Sequence, residues 1–388
     1  MRPAMQRRHA MGALVCCSAG LMGLHGRAHA TSPTAISTGT WPAWNTFARQ
    51  FVSADGRVVD SNSERSHTVS EAQAYALFFA LVSNDRYGFE RLLRWTEDNL
   101  CQGDLSAHLP AWQWGRQDHG AWGVLDRNPA SDADLWLAYA LGEAGRLWNE
   151  RRYSALSRLV SARVLREETA ELPGLGLTLL PGPQGFALGQ GRWRLNASYC
   201  PPQLMQWLTR HAEPAAAWKA LAASAQKLTL ASAPKGFAAD WTVYAAGSGF
   251  VADGEDADTS QGSYNAIRVY LWAGTLHADA PGRTELLKAL QPMARHVRET
   301  GEPPESIDIL SGQAKRAGPP GFSAALLPFL QAQQDTAALQ SQRARLKGLP
   351  PQPDAYYEQA LTLFALGWMD GYYRYAADGS LLPRWSQP

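Results

Sequence analysis

What most constrains this chain is a succession of apolar segments with helical period, separated by Pro- and Gly-rich stretches. They fall at 72–82, 132–148, 202–210, 215–230, 264–272, 283–298, 322–331 and 355–369. Strand-like alternation is scarce, and the one place that suggests a hairpin is the Gly-rich stretch 173–194. No shift in composition marks a domain boundary. So many helices in one stretch of chain fold either as a helical solenoid or as a closed toroid of helix hairpins. A solenoid repeats at a fixed period. No such period is present, so a closed all-α arrangement is expected.

Residues 1–30 read as an export signal. Arg2, Arg7 and Arg8 form a charged start, 11–24 is apolar, and Ala28-His29-Ala30 has the form of a cleavage site. The apolar run is too short to span a membrane comfortably. This leaves 31–388 as one domain, soluble once the signal is removed and expected to be monomeric. Cys16 and Cys17 fall within the signal, so Cys101 and Cys200 remain, and both a disulfide and two separate thiols stay open. The net charge is +1 with no long basic run, which argues against nucleic acid or a polybasic membrane contact as the main partner. The nine His show no H-E-x-x-H or other metal spacing, and neither a cofactor loop nor a serine-hydrolase elbow is present, so no metal and no cofactor is expected. The 15 Trp are unusual. A flat apolar face with a polar edge suits a ligand platform such as the C–H face of a sugar ring, although for any single Trp a core role is the stronger expectation.

Three segment starts carry polar groups. Ser70-Glu71-Ala72-Gln73 has the Ser-x-x-Gln form of a capping box, with Glu71 at the first helical position. Ser131-Asp132-Ala133-Asp134 repeats the pattern with an acid in the first turn, and Ser263-Tyr264-Asn265 opens a third helix. Acids in a first turn complement the helix dipole and need no further reason, so spacing alone does not reveal chemistry here.

The residues around these starts resemble glycoside hydrolase family 8. Ala130-Ser131-Asp132-Ala133-Asp134-Leu135-Trp136-Leu137-Ala138-Tyr139-Ala140-Leu141, followed by Ala144 and Trp148, matches that family's signature with a conservative departure at Leu137. The likeness extends to Trp41-Pro42-Ala43-Trp44, Ser70 to Tyr75, Leu109 to Gly115, Ala233 to Phe237 and Gly321 to Leu327, which also resemble the branch encoded with bacterial cellulose synthase. The resemblance implies an (α/α)6 barrel, endo-β-1,4-glucanase activity with inversion, and a periplasmic or secreted location. It also implies a β-1,4-glucan partner and a link to the cellulose export machinery. It places the general acid on Glu71 and an active-site acid on Asp132, read as holding the distorted sugar and orienting water. Tyr264 and Arg268 match residues that flank the family's base, and Tyr199 and Tyr356 match substrate positions. Trp112, Trp114 and Trp193 are further sugar-platform candidates. Xylan or chitosan is an alternative substrate within the family.

Inversion needs one protonated carboxyl and one base, roughly 6.5–9.5 Å apart. A helix start favours the ionised carboxylate, so Glu71 needs burial or a neighbouring Asp132 to keep its proton. The chain departs from the best-known branch at Asn265, where that branch has an aspartate base. Three readings stay open. An acid of the preceding loop, Asp253, Glu255, Asp256 or Asp258, serves as base, as in another branch with asparagine at this place. Alternatively Asn265 positions water while Asp132 or a slower route supplies basicity. The third reading is a weakly active or inactive glucan-binding or assembly factor.

Overall fold

Two kinds of helix alternate along the chain, and the alternation dictates the architecture. The computed structural model describes residues 40–63, 66–251 and 260–387. The signal-like segment 1–30 and the loop acids Asp253, Glu255, Asp256 and Asp258 lie outside the described residues. In chain order the helices are α1 (Pro42–Phe51), α2 (Ser70–Val82), α3 (Arg86–Leu100), α4 (Ser131–Trp148), α5 (Arg151–Glu167), α6 (Pro202–His211), α7 (Ala215–Ala231), α8 (Ala266–Thr275), α9 (Arg283–Thr300), α10 (Pro320–Ala332), α11 (Thr336–Gly348) and α12 (Tyr356–Met369).

Of the even-numbered helices, α2, α4, α8 and α10 are buried nearly all round, while α12 buries eight of its 14 residues and α6 five of its ten. In α2 every residue but Glu71 is buried, and in α8 every residue is. Odd-numbered helices bury one stripe, as α9 does with Leu286, Leu287, Leu290, Met293, Ala294 and Val297. A helix apolar on all sides belongs inside and a one-sided helix outside. Accordingly, α2, α4, α6, α8, α10 and α12 form an inner ring, each packed on the next, and the odd helices form an outer ring. α1 packs on α12 and completes the sixth hairpin of an (α/α)6 toroid.

Phe364 of α12 closes the ring. Its side chain meets Tyr75, Phe78 and Phe79 of α2 at centroid distances of 4.8, 5.4 and 4.6 Å, Trp136 of α4 at 5.1 Å and Trp272 of α8 at 5.2 Å. Close approach between inner helices also needs a glycine. A Cβ on Gly274 of α8 would lie 2.2 Å from the Phe329 backbone nitrogen of α10.

Four helices, α1, α3, α5 and α11, were not among the expected segments. α3, α5 and α11 carry many charged residues and show only a narrow apolar stripe. The expected single hairpin over 173–194 is corrected to two: Thr169–Leu172 with Gly176–Leu179, and Ala187–Gly189 with Arg192–Leu195. The second continues into Thr242–Ala245 and Gly249–Val251 as a four-stranded sheet. Another small sheet joins Thr68–Val69, immediately before α2, to Gln113–Arg116 and Trp122–Asp126. Cys101 and Cys200 are both buried and are not bridged.

Truncating the central ring should be costly. Phe364→Ala is expected to lower stability by about 3–5 kcal/mol, read as a lower denaturant midpoint; a shift under about 1 kcal/mol would mean that the ring does not depend on this contact.

Candidate active site

The inner helices start at one end of the toroid, where the starts of α2, α8 and α12, with loop residues, line a cleft of about 230 Å³. None of the six inner helices is capped by the side chain of its N-cap residue, although Asp132 Oδ1 accepts the Ala133 N–H in the first turn of α4 (2.9 Å). The capping boxes expected at Ser70 and Ser131 are therefore corrected. Each serine is the first residue of its helix, and neither hydroxyl has a hydrogen-bond partner among the described residues. Gln73 does not reach back to the helix start; its amide reaches the Val58 N–H (2.6 Å) and the Thr96 hydroxyl (3.0 Å) and so ties α2 to α3. Backbone carbonyls replace the missing caps, with Ser70 N–H donating to Trp112 O (2.9 Å) and Ser131 N–H to Pro181 O (3.1 Å).

Arg268, on the first turn of α8, joins these starts. Its Nη1 donates to the Glu71 carboxylate, to Tyr75 Oη (3.1 Å) and to Asp132 Oδ2 (3.2 Å). Its Nη2 donates to Ser198 Oγ (3.0 Å) and to Asn265 Oδ1 (2.7 Å). The guanidinium thus lies among groups from α2, α4, α8 and the turn before α6, and is itself 3% exposed.

Glu71 sits beside this cation yet holds its proton unusually well. Burial pushes its carboxyl up to about 8; Arg268 pulls it down, and Asp132 pushes it up again by charge and hydrogen bonding. The condition set by its helix-start position is met mainly by desolvation. With Glu71 protonated, Arg268 and Asp132 are left as one compensated pair, so the site can keep a proton donor without an uncompensated buried charge.

Of the residues singled out from sequence, Glu71, Trp112, Tyr199, Tyr264, Asn265, Arg268 and Tyr356 line the cleft. Asp132 is buried behind them and reaches Arg268. Trp114 and Trp193 do not line it. Trp114 stacks on Trp122 at 5.4 Å, with the Arg57 guanidinium 4.3 Å from its ring, and Trp193 leans on Tyr244 at 6.5 Å.

Other lining residues were not anticipated, among them Asp60, His67 and Trp241. Trp241 is held by Phe186 and Tyr199, both at 6.0 Å, and by Arg194 over its ring at 4.7 Å. Tyr75 was open to sequence reasoning, since it lies four residues after Glu71 and therefore on the same helix face. Asp240 was not. Its Oδ1 accepts N–H groups from Ser263 (2.9 Å), Asn265 (2.9 Å) and Ala266 (2.8 Å). Burial nevertheless raises its carboxyl to about 6 against those three donors. Asp240 thus supplies from a distant loop the cap that α8 lacks, and fixes the turn that carries Tyr264, Asn265 and Arg268. The third helix accordingly starts at Ala266, later than Ser263 suggested.

A buried carboxyl that keeps its proton, in an aromatic-walled cleft, supplies one of the two carboxyl groups that glycoside hydrolysis needs. The chain belongs to the glycosyl hydrolases family 8, whose model matches residues 28–371. It is 46% identical over 357 residues to an endoglucanase of Salmonella typhi, covering 92% of this chain and 94% of that one. It is 47% identical over 354 residues to an endoglucanase of Xanthomonas axonopodis pv. citri, covering 90% and 91%. The endo-1,4-D-glucanase of Vibrio fischeri ES114 has a crystal structure similar at a TM-score of 0.85 and 43% identity, covering 89% of this chain and 100% of that one.

Asp240→Ala should leave three N–H groups at the start of α8 without their acceptor and cost at least about 2 kcal/mol, while Asp240→Asn, which keeps an oxygen acceptor, should cost less. Thermal unfolding of both variants checks the order; equal losses would contradict the capping role.

Proposed function

We propose that this glycoside hydrolase is an exported endo-β-1,4-glucanase that cuts internal bonds of cellulose-like glucan with inversion, with Glu71 as proton donor. The observation that carries the reading is the Glu71 carboxyl. It faces the cleft, keeps its proton up to about pH 8, and lies against Arg268, the cation that joins the starts of α2, α4 and α8. The substrate class rests on the relatives, which are endoglucanases and an endo-1,4-D-glucanase.

In this reading the glucan lies in the cleft with its sugar faces against Trp112, Tyr199, Trp241 and Tyr356. Glu71 protonates the departing glycosidic oxygen, a step of the kind that general acids accelerate by roughly 10²–10⁴-fold. Arg268 stays charged and takes up the negative charge that Glu71 gains. Asp132, fixed on Arg268, orients the ring undergoing cleavage. Water enters from the opposite face and needs a base. Asn265 is not that base: a neutral amide does not accept a proton near neutral pH, and its Oδ1 already accepts from Arg268. Asp240 Oδ1 is likewise committed to three backbone N–H groups. The base is assigned to one of the loop acids Asp253, Glu255, Asp256 or Asp258. Export rests on the signal character of residues 1–30, with the periplasm or medium as destination and trimming of nascent cellulose as the role.

Reducing-end release from carboxymethylcellulose, xylan and chitosan, with the anomer of the first product followed by NMR, tests substrate and stereochemistry together. Fastest cleavage of the cellulose derivative with an α-configured product is expected; a β product or a preference for another polymer contradicts the reading. Glu71→Gln should lower kcat at least about 10³-fold and leave oligosaccharide binding within a few-fold. In the wild type, kcat/KM should fall as pH rises through about 8, because Glu71 then loses its proton. Hydrolysis retained in Glu71→Gln would remove the assignment. Among the four loop acids, one Ala substitution should abolish turnover and be rescued by azide; four active variants would place the base elsewhere.

A further inference from the structure

Two carboxyl groups that take no part in this mechanism face each other directly behind Asp132. Asp134 lies on the first turn of α4 and Glu168 directly follows α5. Both side chains are fully buried. Their carboxyls lie close enough to share a hydrogen bond, and no donor among the described residues reaches any of their four oxygens. The charges that bear on them are anionic: Asp132 on α4 and Glu167 on α5, the latter already paired with Arg163 and Arg166 at 2.7 Å. From the end of α3 they are met by the buried Cys101 thiol, which lies near Glu97 and Asp104.

Two ionised carboxylates cannot stay in contact in such a place, because neither has a cation or N–H to offset its charge. A hydrogen bond between them requires a proton. We propose that Asp134 and Glu168 share one proton, and that the hydrogen bond it makes is a positioning device, tying the first turn of α4, and with it Asp132, to the end of α5. Asp132 in turn holds Arg268 and helps Glu71 keep its proton. The second half of this proposal rests on Glu71 being the acid; the first does not.

The sign of the pH effect follows from where the proton resides. In the unfolded chain both carboxyls release their protons near pH 4. The folded chain retains one well above that, since burial raises both groups. Folding therefore binds a proton above about pH 4, and this pair's contribution to stability declines as pH rises until the fold gives the proton up. In Asp134→Asn an amide N–H replaces the shared proton and donates to the Glu168 carboxylate, leaving the charge of the pair unchanged.

The test uses the full chain after export. Thermal midpoints of wild type and Asp134→Asn are measured between pH 5 and pH 9. The wild type should lose stability more steeply than the variant, by the effect of one proton; parallel curves overturn proton sharing whether or not the protein cuts glucan. The alkaline limb of kcat/KM on soluble cellulose derivative is then compared in wild type, Asp134→Asn and Asp134→Ser. The serine hydroxyl is too short to reach Glu168. It should let Asp132 shift from Arg268 and move the limb down by about half a pH unit or more, while Asp134→Asn leaves the limb in place. An unmoved limb in Asp134→Ser overturns the positioning role. If Asp134→Ser does not fold, the thermal comparison still decides proton sharing, and a limb shifted in Asp134→Asn overturns the positioning role. Absence of glucan cleavage in the wild type itself would instead remove the glucanase reading.

Discussion

The site depends on one buried guanidinium. Arg268 places its two terminal nitrogens among five side chains drawn from α2, α4, α8 and the turn before α6. A lysine could not do this, because it offers a single nitrogen where the forked guanidinium offers two separated ones. The arrangement is expensive as well as specific. Burying a charge costs several kcal/mol, and removing one partner of a buried pair typically costs about 3–5 kcal/mol. Without Arg268, Glu71 and Asp132 would face each other with nothing between them but a proton. With it, Asp132 faces a cation while Glu71, pushed up by burial, keeps its hydrogen.

The toroid explains why these groups meet. The inner helices α2, α4, α8 and α10 are buried along nearly all their length, so their main polar opportunity is at their starts, and the inner starts share one end. A protein built for stability alone would cap those starts with its own side chains, as the outer helices α3, α5 and α11 do through Asp85, Glu150 and Asp335. The inner ring instead borrows acceptors from elsewhere. Carbonyls serve α2 and α4, Asp240 serves α8, and Glu358 of α12 accepts from Gly321 N–H at the start of α10 (2.9 Å). The first-turn side chains of α2, α4 and α8 are thereby released to face the cleft or each other. Asp134 and Glu168 belong to the same pattern, a polar contact between helix ends that fixes an active-site neighbour without touching the cleft.

This division also sets what was legible in the sequence. The inner helices were readable because burial on all sides demands unbroken apolar runs, and the closed architecture followed from the absence of a fixed repeat. The outer helices α3, α5 and α11 were not, since their charged faces dilute the periodic signal. Glu71, Asp132 and Arg268 were visible only through the family signature; as first-turn residues they look like ordinary helix starts. The capping boxes misled because Ser-x-x-Gln describes local chain, whereas Gln73 is claimed by Val58 and Thr96 across the fold. Asp240 and Glu168 were out of reach for the same reason. Each acts on a segment more than 20 residues away, and no local pattern records the pairing.

The central claim is that Glu71 is a carboxylic acid at neutral pH. Carbon-13 NMR of the side-chain carboxyls, with Glu71→Gln used to assign the resonance, measures this directly. The account predicts a titration midpoint of about 8 for Glu71. A midpoint near the ordinary glutamate value of about 4.3 would mean that Arg268 outweighs burial, and would contradict the assignment of Glu71 as the proton donor.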